Sequence, residues 1–360
     1  MTTELQSASA DVDLVVREAD DPKRWDAFVS SYSVDQGGSV CHLYGWHELL
    51  KNTLQVEPLY RVAIAKDGSW EGILPLFRVK SLAFGHYLVS MPFLNYGGPL
   101  GTSRGRHALV AWAVEEAQRS GADLLELRLR AVEASSARVE GVEVSHRRLT
   151  VVLDLPDDSD SLWSEGFRSK LRSQIRRPMK EGMRVEFGVS EVQPFYDVYS
   201  RNMRDLGTPV LPLEFFEALP RIFSHEVIFG VVYHGARPVA GGCGFLWGHE
   251  YEMTWASSLR EYNRQAPNML LYWAFMKHVI AAGADSFNFG RCAYGTGTHR
   301  FKRQWGAADQ PLPWFRWSSK GAQATPTPEA SGYRLATAVW RRLPHRVANL
   351  VGPHLARRIP

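Results

Sequence analysis

Positive charge and glycine are concentrated in one stretch of the sequence, residues 285–306, which reads DSFNFGRCAYGTGTHRFKRQWG. Its first residues alternate between apolar and polar types, as in a short strand, and after Asp285 the stretch carries five basic side chains and no acid. Glycines allow a backbone to approach a ligand closely. We expect the basic side chains, Arg291 and Lys302 among them, to hold an anionic ligand. The alternative is a solvated loop that is basic by chance.

Common nucleotide, metal and nucleophile motifs do not account for this stretch. Gly290 and Gly295 have the spacing of the first two P-loop glycines, but Thr296 follows where that motif requires lysine. No G-x-G-x-x-G opens a βαβ unit, and HExxH and GxSxG are absent. Three separated cysteines offer neither a disulfide framework nor CxxC spacing. We therefore expect no metal and no tightly bound cofactor.

A run of glycines inside a predicted strand, residues 239–246, is the candidate for acyl-transfer chemistry. Glycine within a strand often marks a bulge or the close approach of a ligand. A bulge frees backbone N–H groups that polarise an acyl carbonyl and stabilise an oxyanion, which makes Gly242 and Cys243 candidate catalytic positions. Glu252, on the next predicted strand (251–257), is a candidate general base for an attacking amine. The alternative places this glutamate on a solvent-facing edge.

A basic amphipathic helix is predicted near residues 161–177. Residues 168–184 contain seven basic residues and one acid, and an apolar residue recurs at every fourth position from Trp163 to Ile175, so the bases largely occupy the other face. Pro178 should stop or kink the helix. Such a face binds phosphates, nucleic acid or a membrane surface, whereas a merely solvated face normally mixes both signs of charge. Its candidate substrate-binding residues are Lys170, Arg172 and Arg176.

The order of the predicted elements repeats along the chain. In each half a hairpin precedes a long helix, which leads into a strand through Gly-Ala-Asp, beginning at Gly121 and at Gly283. The hairpin turns, at Gly68 and Gly235, occupy matching places. Two features in the same order predict two similar α/β domains in tandem. The predicted long helices are 107–120 and 267–282, and the predicted strands are 59–65, 72–79, 124–129, 227–233, 239–246, 251–257 and 286–289.

A connector rich in proline and aspartate, residues 153–160, separates the two halves. With 45% hydrophobic and 22% charged residues and a net charge of only +4, the composition is that of a globular protein. No apolar run is long enough to cross a bilayer and no signal sequence is recognised, which predicts a cytoplasmic location. The expected organisation is a disordered tail (1–12), a first domain (13–154), a second domain with the active cleft (155–320), and a linker with a basic C-terminal tail (321–360).

Six short motifs follow one another along the chain, namely GILPL (72–76), FG (84–85), PFLNYGG (92–98), PNMLLYW (267–273), FGR (289–291) and GTHRFKRQWG (297–306). Together they resemble those of the FemAB-like proteins, and more narrowly those of the branch found with exosortase/PEP-CTERM and exopolysaccharide systems. The resemblance covers most of the chain, from Trp25 to Trp314 and again at the tail. It implies two tandem GNAT-type acyltransferase domains, mixed sheets flanked by helices, in agreement with the repeat.

The resemblance also implies a substrate class. The best-known FemAB-like proteins transfer amino acids from aminoacyl-tRNA to an amino group of a peptidoglycan precursor. Tyr96, within the turn or binding loop 95–99, is a further substrate-binding candidate. The chain departs from the branch at Cys292, where a serine is usual, so a hydroxyl contact is not expected there. By their motifs, the residues that would line the acceptor cleft are Asn268, Tyr272, Arg291, Lys302 and Gln304.

The acyl donor is left open by the residues. CoA-dependent GNAT enzymes present a Q/R-x-x-G-x-G/A turn to the pyrophosphate, whereas the corresponding residues 264–268 read RQAPN, without either glycine. This favours aminoacyl-tRNA over acyl-CoA. The expected function is N-acyl or aminoacyl transfer to an amine of an anionic cell-envelope, exopolysaccharide or peptidoglycan-type precursor. The alternatives are an acyl-CoA-dependent GNAT N-acyltransferase and a non-catalytic binding module of an envelope polysaccharide or export system.

The C-terminal tail is basic and regularly apolar. Residues 333–360 carry six arginines and no acid beside spaced leucines, valines and a tryptophan. We expect peripheral contact with an anionic membrane surface, and the alternative is packing on the domains.

Overall fold

Helices and strands alternate in both halves of the chain. The computed structural model describes residues 14–81, 85–130, 139–319 and 331–358, so the predicted tail (1–12) and most of the predicted linker lie outside the described residues. The strands are β1 Leu14–Glu18, β2 Glu57–Pro58, β3 Arg61–Ala65, β4 Trp70–Leu74, β5 Leu76–Ser81, β6 Gly85–Ser90, β7 Leu100–Gly101, β8 Leu124–Leu127, β9 Glu143–Asp154, β10 Met183–Phe187, β11 Val227–His234, β12 Arg237–Trp247, β13 Glu250–Ser258, β14 Ser286–Cys292 and β15 Ala308–Ser318. The helices are α1 Pro22–Ser30, α2 Gly45–Leu54, α3 Ser103–Arg119, α4 Ser159–Ser161, α5 Ser169–Lys180, α6 Val192–Leu206, α7 Leu213–Ile222, α8 Pro267–Ala281, α9 Gly297–Arg303, α10 Ser331–Trp340 and α11 His345–Ala356.

One large mixed sheet runs through both halves. Its eleven strands lie in the order β10-β11-β12-β13-β14-β9-β15-β8-β6-β5-β2, and a second sheet has the order β1-β3-β4-β7. The predicted α/β fold, mixed sheets flanked by helices, is confirmed. The two halves share the large sheet because β15, late in the chain, lies between β9 and the early strand β8. The boundary predicted at residues 153–160 therefore follows a strand in the middle of this sheet.

The glycines that revealed the repeat occupy equivalent places in the two halves. Gly121 and Gly283 follow the last turns of α3 and α8 with φ of 65° and 86°. Gly68 and Gly235 form the β3–β4 and β11–β12 turns with φ of 84° and 62°. Because this left-handed region is costly for other residues, the same local geometry selects glycine twice.

Two predicted elements differ from the structure at prolines. The predicted strand 72–79 is two strands, β4 and β5, which belong to different sheets. Pro75 lies between them and has no N–H for a ladder, so the chain changes sheets there. Pro178 was predicted to stop or kink its helix, and it does not stop it, since α5 continues to Lys180. That helix is instead interrupted earlier, at Phe167, whose backbone is extended.

An aromatic core joins the two halves. Trp46 of α2 is fully buried, and its ring centroid lies 4.5 Å from that of Phe223, at the end of α7, and 5.6 Å from that of Phe245 on β12. Fully burying a side chain of this class contributes about 1.5–3 kcal/mol. The first half of the chain therefore packs directly against β12, the strand that precedes the candidate site.

In the described part of the chain, no helix is long and apolar enough to cross a membrane.

Candidate active site

The candidate site lies where two neighbouring strands separate. β13 and β14 pair in parallel only from Glu250 to Glu252 against Ser286 to Asn288. Beyond these pairs the strands diverge, and the ladder between β13 and β12 shifts register opposite Gly244. Cys243 pairs with Trp255, and the next pair is Phe245 with Glu252. Between these two pairs β12 has one residue and β13 has two. The bulge expected on the glycine-rich strand is therefore on its partner, β13, because glycines on β12 leave room for it.

A cavity of about 470 Å³ fills the space between the diverging strands. β13 contributes Met253 to Ser257 and β14 contributes Phe289 to Arg291, whose facing backbone edges no longer pair with each other. α6, the loop after it, and the end of α11 close the other sides. Unpaired strand edges offer N–H and C=O groups to a ligand. Side chains from the first half complete the wall, namely Phe93, Asn95 and Arg128.

Lys302 is the buried cation of this cavity. It is only 4% exposed, and its Nζ donates to the carbonyl oxygens of Gly290 at 2.6 Å and Arg291 at 3.0 Å. An ammonium has three N–H donors, so one remains for a ligand. Burial lowers the pKa of Lys302 from 10.5 to about 8, which makes proton donation near neutral pH easier. Gly290 has a φ of 72°, and this turn of the backbone presents both carbonyls to Lys302.

Arg291 is the second cation, and its charge is uncompensated. Its guanidinium lies 4.9 Å from the ring centroid of Trp314, and Arg128 lies 4.8 Å from the centroid of the same ring. Arg128 is paired with Glu126, but within the described residues no carboxylate lies within ion-pair distance of Arg291. Burial, together with the nearby Arg128, lowers the pKa of Arg291 to about 9. A cavity-lining arginine without a partner is a site for an anion.

Glu252 lies immediately behind the cavity wall. It is 5% exposed, and burial raises its pKa from 4.5 to about 7. Asn95, which lines the cavity, donates its side-chain amide to this carboxylate. Asn95 comes from the first half, in the loop that the sequence marked for binding, although Tyr96 was the residue chosen there. Only the fold reveals this pairing, because local sequence patterns do not report contacts across 157 positions.

Tyr96 faces a different cavity. Its hydroxyl accepts from Asn288 at 2.8 Å, and the Arg130 guanidinium lies 4.1 Å from its ring centroid. Arg130 in turn pairs with Glu250 at 2.5 Å. Tyr96, Arg130 and Glu250 line a space of about 580 Å³ on the other side of Glu252, with aspartates at its rim. The two cavities therefore differ in charge, the first basic and the second mainly acidic.

The remaining candidate residues of the second domain do not all line the cavity. Tyr272 lines the cavity and stacks on Phe289 with centroids 5.4 Å apart, whereas Asn268 and Gln304 do not line it. Cys243 is fully buried, and burial raises the pKa of its thiol well above the ordinary value. At Gly242 a Cβ would lie 2.9 Å from the Met253 sulfur, so side chains fill the space beside it.

The basic helix α5 does not reach the cavity. Arg172 donates to the carbonyl oxygens of Trp163, Ser164 and Phe167 at 3.1, 2.9 and 2.6 Å, and so caps the segment before the helix. Arg176 lies over the Trp163 ring, and Lys170 is exposed. A substrate role for these three residues stays a prediction. Among the described residues, no group of three His, Cys, Asp or Glu side chains is arranged to hold a metal ion.

A family described as an acetyltransferase (GNAT) domain matches residues 165–303. The UDP-N-acetylmuramoylpentapeptide-lysine N(6)-alanyltransferase of Weissella viridescens is 26% identical over 137 residues, which is 35% of this chain and 40% of that protein. The chain thus spans less than half the length of this curated relative.

Solved structures extend the likeness over most of the chain. The crystal structure of FemX has a TM-score of 0.63 and 15% identity, covering 84% of this chain and 97% of that one. The structure of L-PGS from Bacillus licheniformis has a TM-score of 0.57 and 12% identity, covering 91% and 99% of the two chains. The C-terminal domain of a putative lysylphosphatidylglycerol synthetase from Agrobacterium fabrum has a TM-score of 0.57 and 13% identity, covering 83% and 91%. These likenesses confirm the predicted GNAT-type fold.

Proposed function

We propose that this chain is a FemAB-like protein that transfers an acyl or aminoacyl group from an activated ester or thioester to an amine of an anionic cell-envelope precursor. The observation that carries the proposal is the cavity between β13 and β14, with Lys302 and Arg291 in its wall and Glu252 behind it. The exosortase-associated branch stays a prediction.

Acyl transfer forms one bond and breaks another, with an oxyanion in between. The amine nitrogen bonds to the acyl carbon, the carbonyl oxygen becomes an oxyanion, and the carbon–oxygen or carbon–sulfur bond to the donor then breaks. Oriented N–H donors stabilise that oxyanion. The free N–H of Lys302 and the unpaired backbone edge of β13 are such donors. A bound donor and acceptor held side by side need no metal for this reaction.

Proton movement is assigned to Glu252 and Lys302, whose pKa values burial brings near neutral pH. Glu252, with a pKa of about 7, accepts the proton that the attacking amine loses. Lys302, with a pKa of about 8, donates a proton to the departing oxygen or sulfur. Asn95 contacts Glu252 and lines the cavity, so it is the group that orients the carboxylate toward the amine.

The substrates are proposed from the relatives and the charges. The Weissella relative is named for alanyl transfer to the lysine of a UDP-N-acetylmuramoyl pentapeptide, and one structural neighbour is named a putative lysylphosphatidylglycerol synthetase. Each of these acceptors is anionic, which fits the unpaired Arg291. An aminoacyl-tRNA donor is favoured, because the start of α8 has Ala266 in a left-handed conformation (φ 56°) and no glycine turn for a pyrophosphate. Such donors place the reaction in the cytoplasm.

The proposal is tested by reconstitution with named substrates. Purified protein is incubated with a mixture of aminoacylated tRNAs and either a lysine-containing UDP-N-acetylmuramoyl pentapeptide, which carries the accepting amine, or phosphatidylglycerol, which offers only hydroxyl groups. Mass spectrometry follows each acceptor, and acylation of phosphatidylglycerol alone would contradict an amine acceptor. Lys302→Met should lower kcat/KM by about 10²–10³, as loss of an oxyanion donor does. Arg291→Ala should mainly raise KM for the acceptor. Arg300→Met, on the same helix but outside the cavity, is the matched control and should retain wild-type turnover. Full turnover in both cavity variants would refute the assignment.

An acyl-CoA donor is the second candidate, favoured by the match to an acetyltransferase (GNAT) family. Calorimetry with CoA separates the two donors. Micromolar CoA binding that Arg291→Ala weakens would promote the CoA reaction over the tRNA reaction. A non-catalytic binding module would be favoured if side chains filled the space at residues 241–245 and no cleft joined this segment to Arg291. Side chains do fill the space beside Gly242, but Thr254 at the bulge and Arg291 line the same cavity.

A further inference from the structure

The C-terminal helices are fixed on the second half of the chain. The inner face of α11 carries only small residues at its closest approach, and a Cβ at Gly352 would lie 2.9 Å from the Val210 side chain. His345 and Ser200 are hydrogen-bonded at 2.9 Å, and Arg341 donates to the carbonyl oxygen of Leu206 at 3.2 Å. The packing alternative for the tail therefore holds for its inner face. Ala356, at the end of α11, also lines the basic cavity.

The outer face of α11 is apolar and exposed. Leu350 is 72% exposed, Val347 40% and Val351 38%. Leu350 lies on the side of the helix opposite to the buried Ala348 and Gly352, and Val347 and Val351 continue the stripe along one flank. This is the reverse of an ordinary surface helix, which turns its larger apolar residues inward. An exposed apolar stripe of this kind marks an interaction surface.

The charged residues of the segment that carries the stripe are all basic. Residues 339–358 contain no acid, and Arg342, Arg346 and Arg358 are exposed. Within the described residues none of these three arginines has a carboxylate within ion-pair distance. Exposed arginines next to apolar side chains match a surface that is anionic outside and apolar beneath.

We propose that the outer face of α11 docks on an anionic lipid bilayer, with Leu350, Val347 and Val351 in the headgroup–acyl boundary and the arginines on the phosphates. RNA would bind the arginines but would not contact the exposed leucine and valines favourably. The apolar part of the face therefore favours lipid over RNA. Because α11 ends in the cavity wall at Ala356, docking brings the cavity close to the lipid surface. A lipid-borne acceptor would then reach the site without leaving the bilayer, a consequence that rests on the proposed function.

Vesicle sedimentation tests the docking itself. The full-length protein is mixed with vesicles of phosphatidylcholine alone or with a third of phosphatidylglycerol. We expect binding to the anionic vesicles only, weakened in high salt. Leu350→Asp should reduce binding at least tenfold. Val189→Asp is the matched control and should leave binding unchanged, since Val189 is 69% exposed and lies just before the start of α6, whereas α11 contacts Ser200 in the second half of that helix.

Further variants distinguish lipid from RNA and docking from catalysis. Replacing Arg342, Arg346 and Arg358 by glutamine should remove the preference for anionic vesicles. Leu350→Asp should keep wild-type turnover of a soluble acceptor, so failure of docking and failure of the transfer reaction are separable. No binding to anionic vesicles, equal loss in Leu350→Asp and Val189→Asp, or binding to tRNA with the same loss in Leu350→Asp would overturn the proposal.

Discussion

Glu252 and Lys302 lie close together, and their pKa values move toward each other. Burial raises the pKa of Glu252 to about 7 and lowers that of Lys302 to about 8, so the ionised base and the protonated acid coexist in a narrow range. We expect kcat/KM to rise with pH through about 7 and to fall above about 8. In Glu252→Gln the rising limb should disappear. A pH–rate profile checks this, and an unchanged rising limb in the variant would assign the base to the substrate.

The same carboxylate makes stability depend on pH. Its pKa rises from 4.5 to about 7 on folding, so between these values the folded state binds more protons than the unfolded state. Stability therefore falls as pH rises across that window, by up to about 3 kcal/mol from this group. Glu252→Gln removes that loss. Urea denaturation at pH 5 and pH 8 should give a smaller decrease for the variant than for the wild type, and equal decreases would show that Glu252 ionises freely.

Site residues could be predicted from the sequence where a short local motif indicates their role. Arg291, Lys302 and Tyr272 were chosen from short motifs, and all three line one cavity. Asn95 was missed as a partner of Glu252, because nothing near either residue reports a contact between two halves of the chain. Trp314, whose ring both Arg128 and Arg291 contact, was missed for the same reason.

At the scale of the element, α5 provides a test of which basic residues hold structure. Arg172→Ala leaves three carbonyl groups without their charged donor and should destabilise the protein by about 1–3 kcal/mol. Lys170→Ala, at an exposed position on the same helix, should change stability by less than about 0.5 kcal/mol. Thermal denaturation compares them. If Arg172→Ala kept its stability but lost turnover, the predicted substrate role would be correct instead.

The bulge on β13 depends on the absence of a side chain on β12. A Cβ at Gly244 would collide with the backbone oxygen of Glu252 and with the Tyr251 hydroxyl. Gly244→Ala should therefore cost about 3 kcal/mol or more and disturb the cavity. Gly297→Ala is the control, because a Cβ there meets nothing within 4 Å. A Gly244→Ala protein with wild-type stability and activity would show that the strands tolerate a different register.

Element boundaries were predictable where periodicity and turn residues agree, as in α8 and the β11–β12 hairpin. The boundary predictions were wrong where one residue lies between two strands that belong to different sheets. Pro75 divides a continuous apolar run between two sheets, and no local pattern states which sheet each part joins. The bulge was predicted on β12 but lies on β13. The glycines of β12 leave space, and the extra residue of the partner strand occupies it.

For the whole molecule, the shared sheet predicts cooperative unfolding. β9 and β15 pair with each other, β9 also pairs with β14, and β15 also pairs with β8, so strands of both predicted domains hold one another. We expect a single calorimetric transition, and separately expressed segments 14–154 and 155–319 should not fold. A well-dispersed amide spectrum from either segment alone would contradict this and restore the predicted domains as independent units.

The position of β15 also affects how the chain is made. β8 is complete at Leu127, but the strand that covers its edge begins at Ala308. On a ribosome adding about 5–20 residues per second, that edge waits roughly 10–40 s for its partner. During this interval an apolar strand with unpaired N–H and C=O groups is available to neighbouring chains. Aggregation of nascent chains is therefore most to be expected between the synthesis of Leu127 and that of Ala308, and a chaperone that covers the edge of β8 during this interval should raise the yield of folded protein.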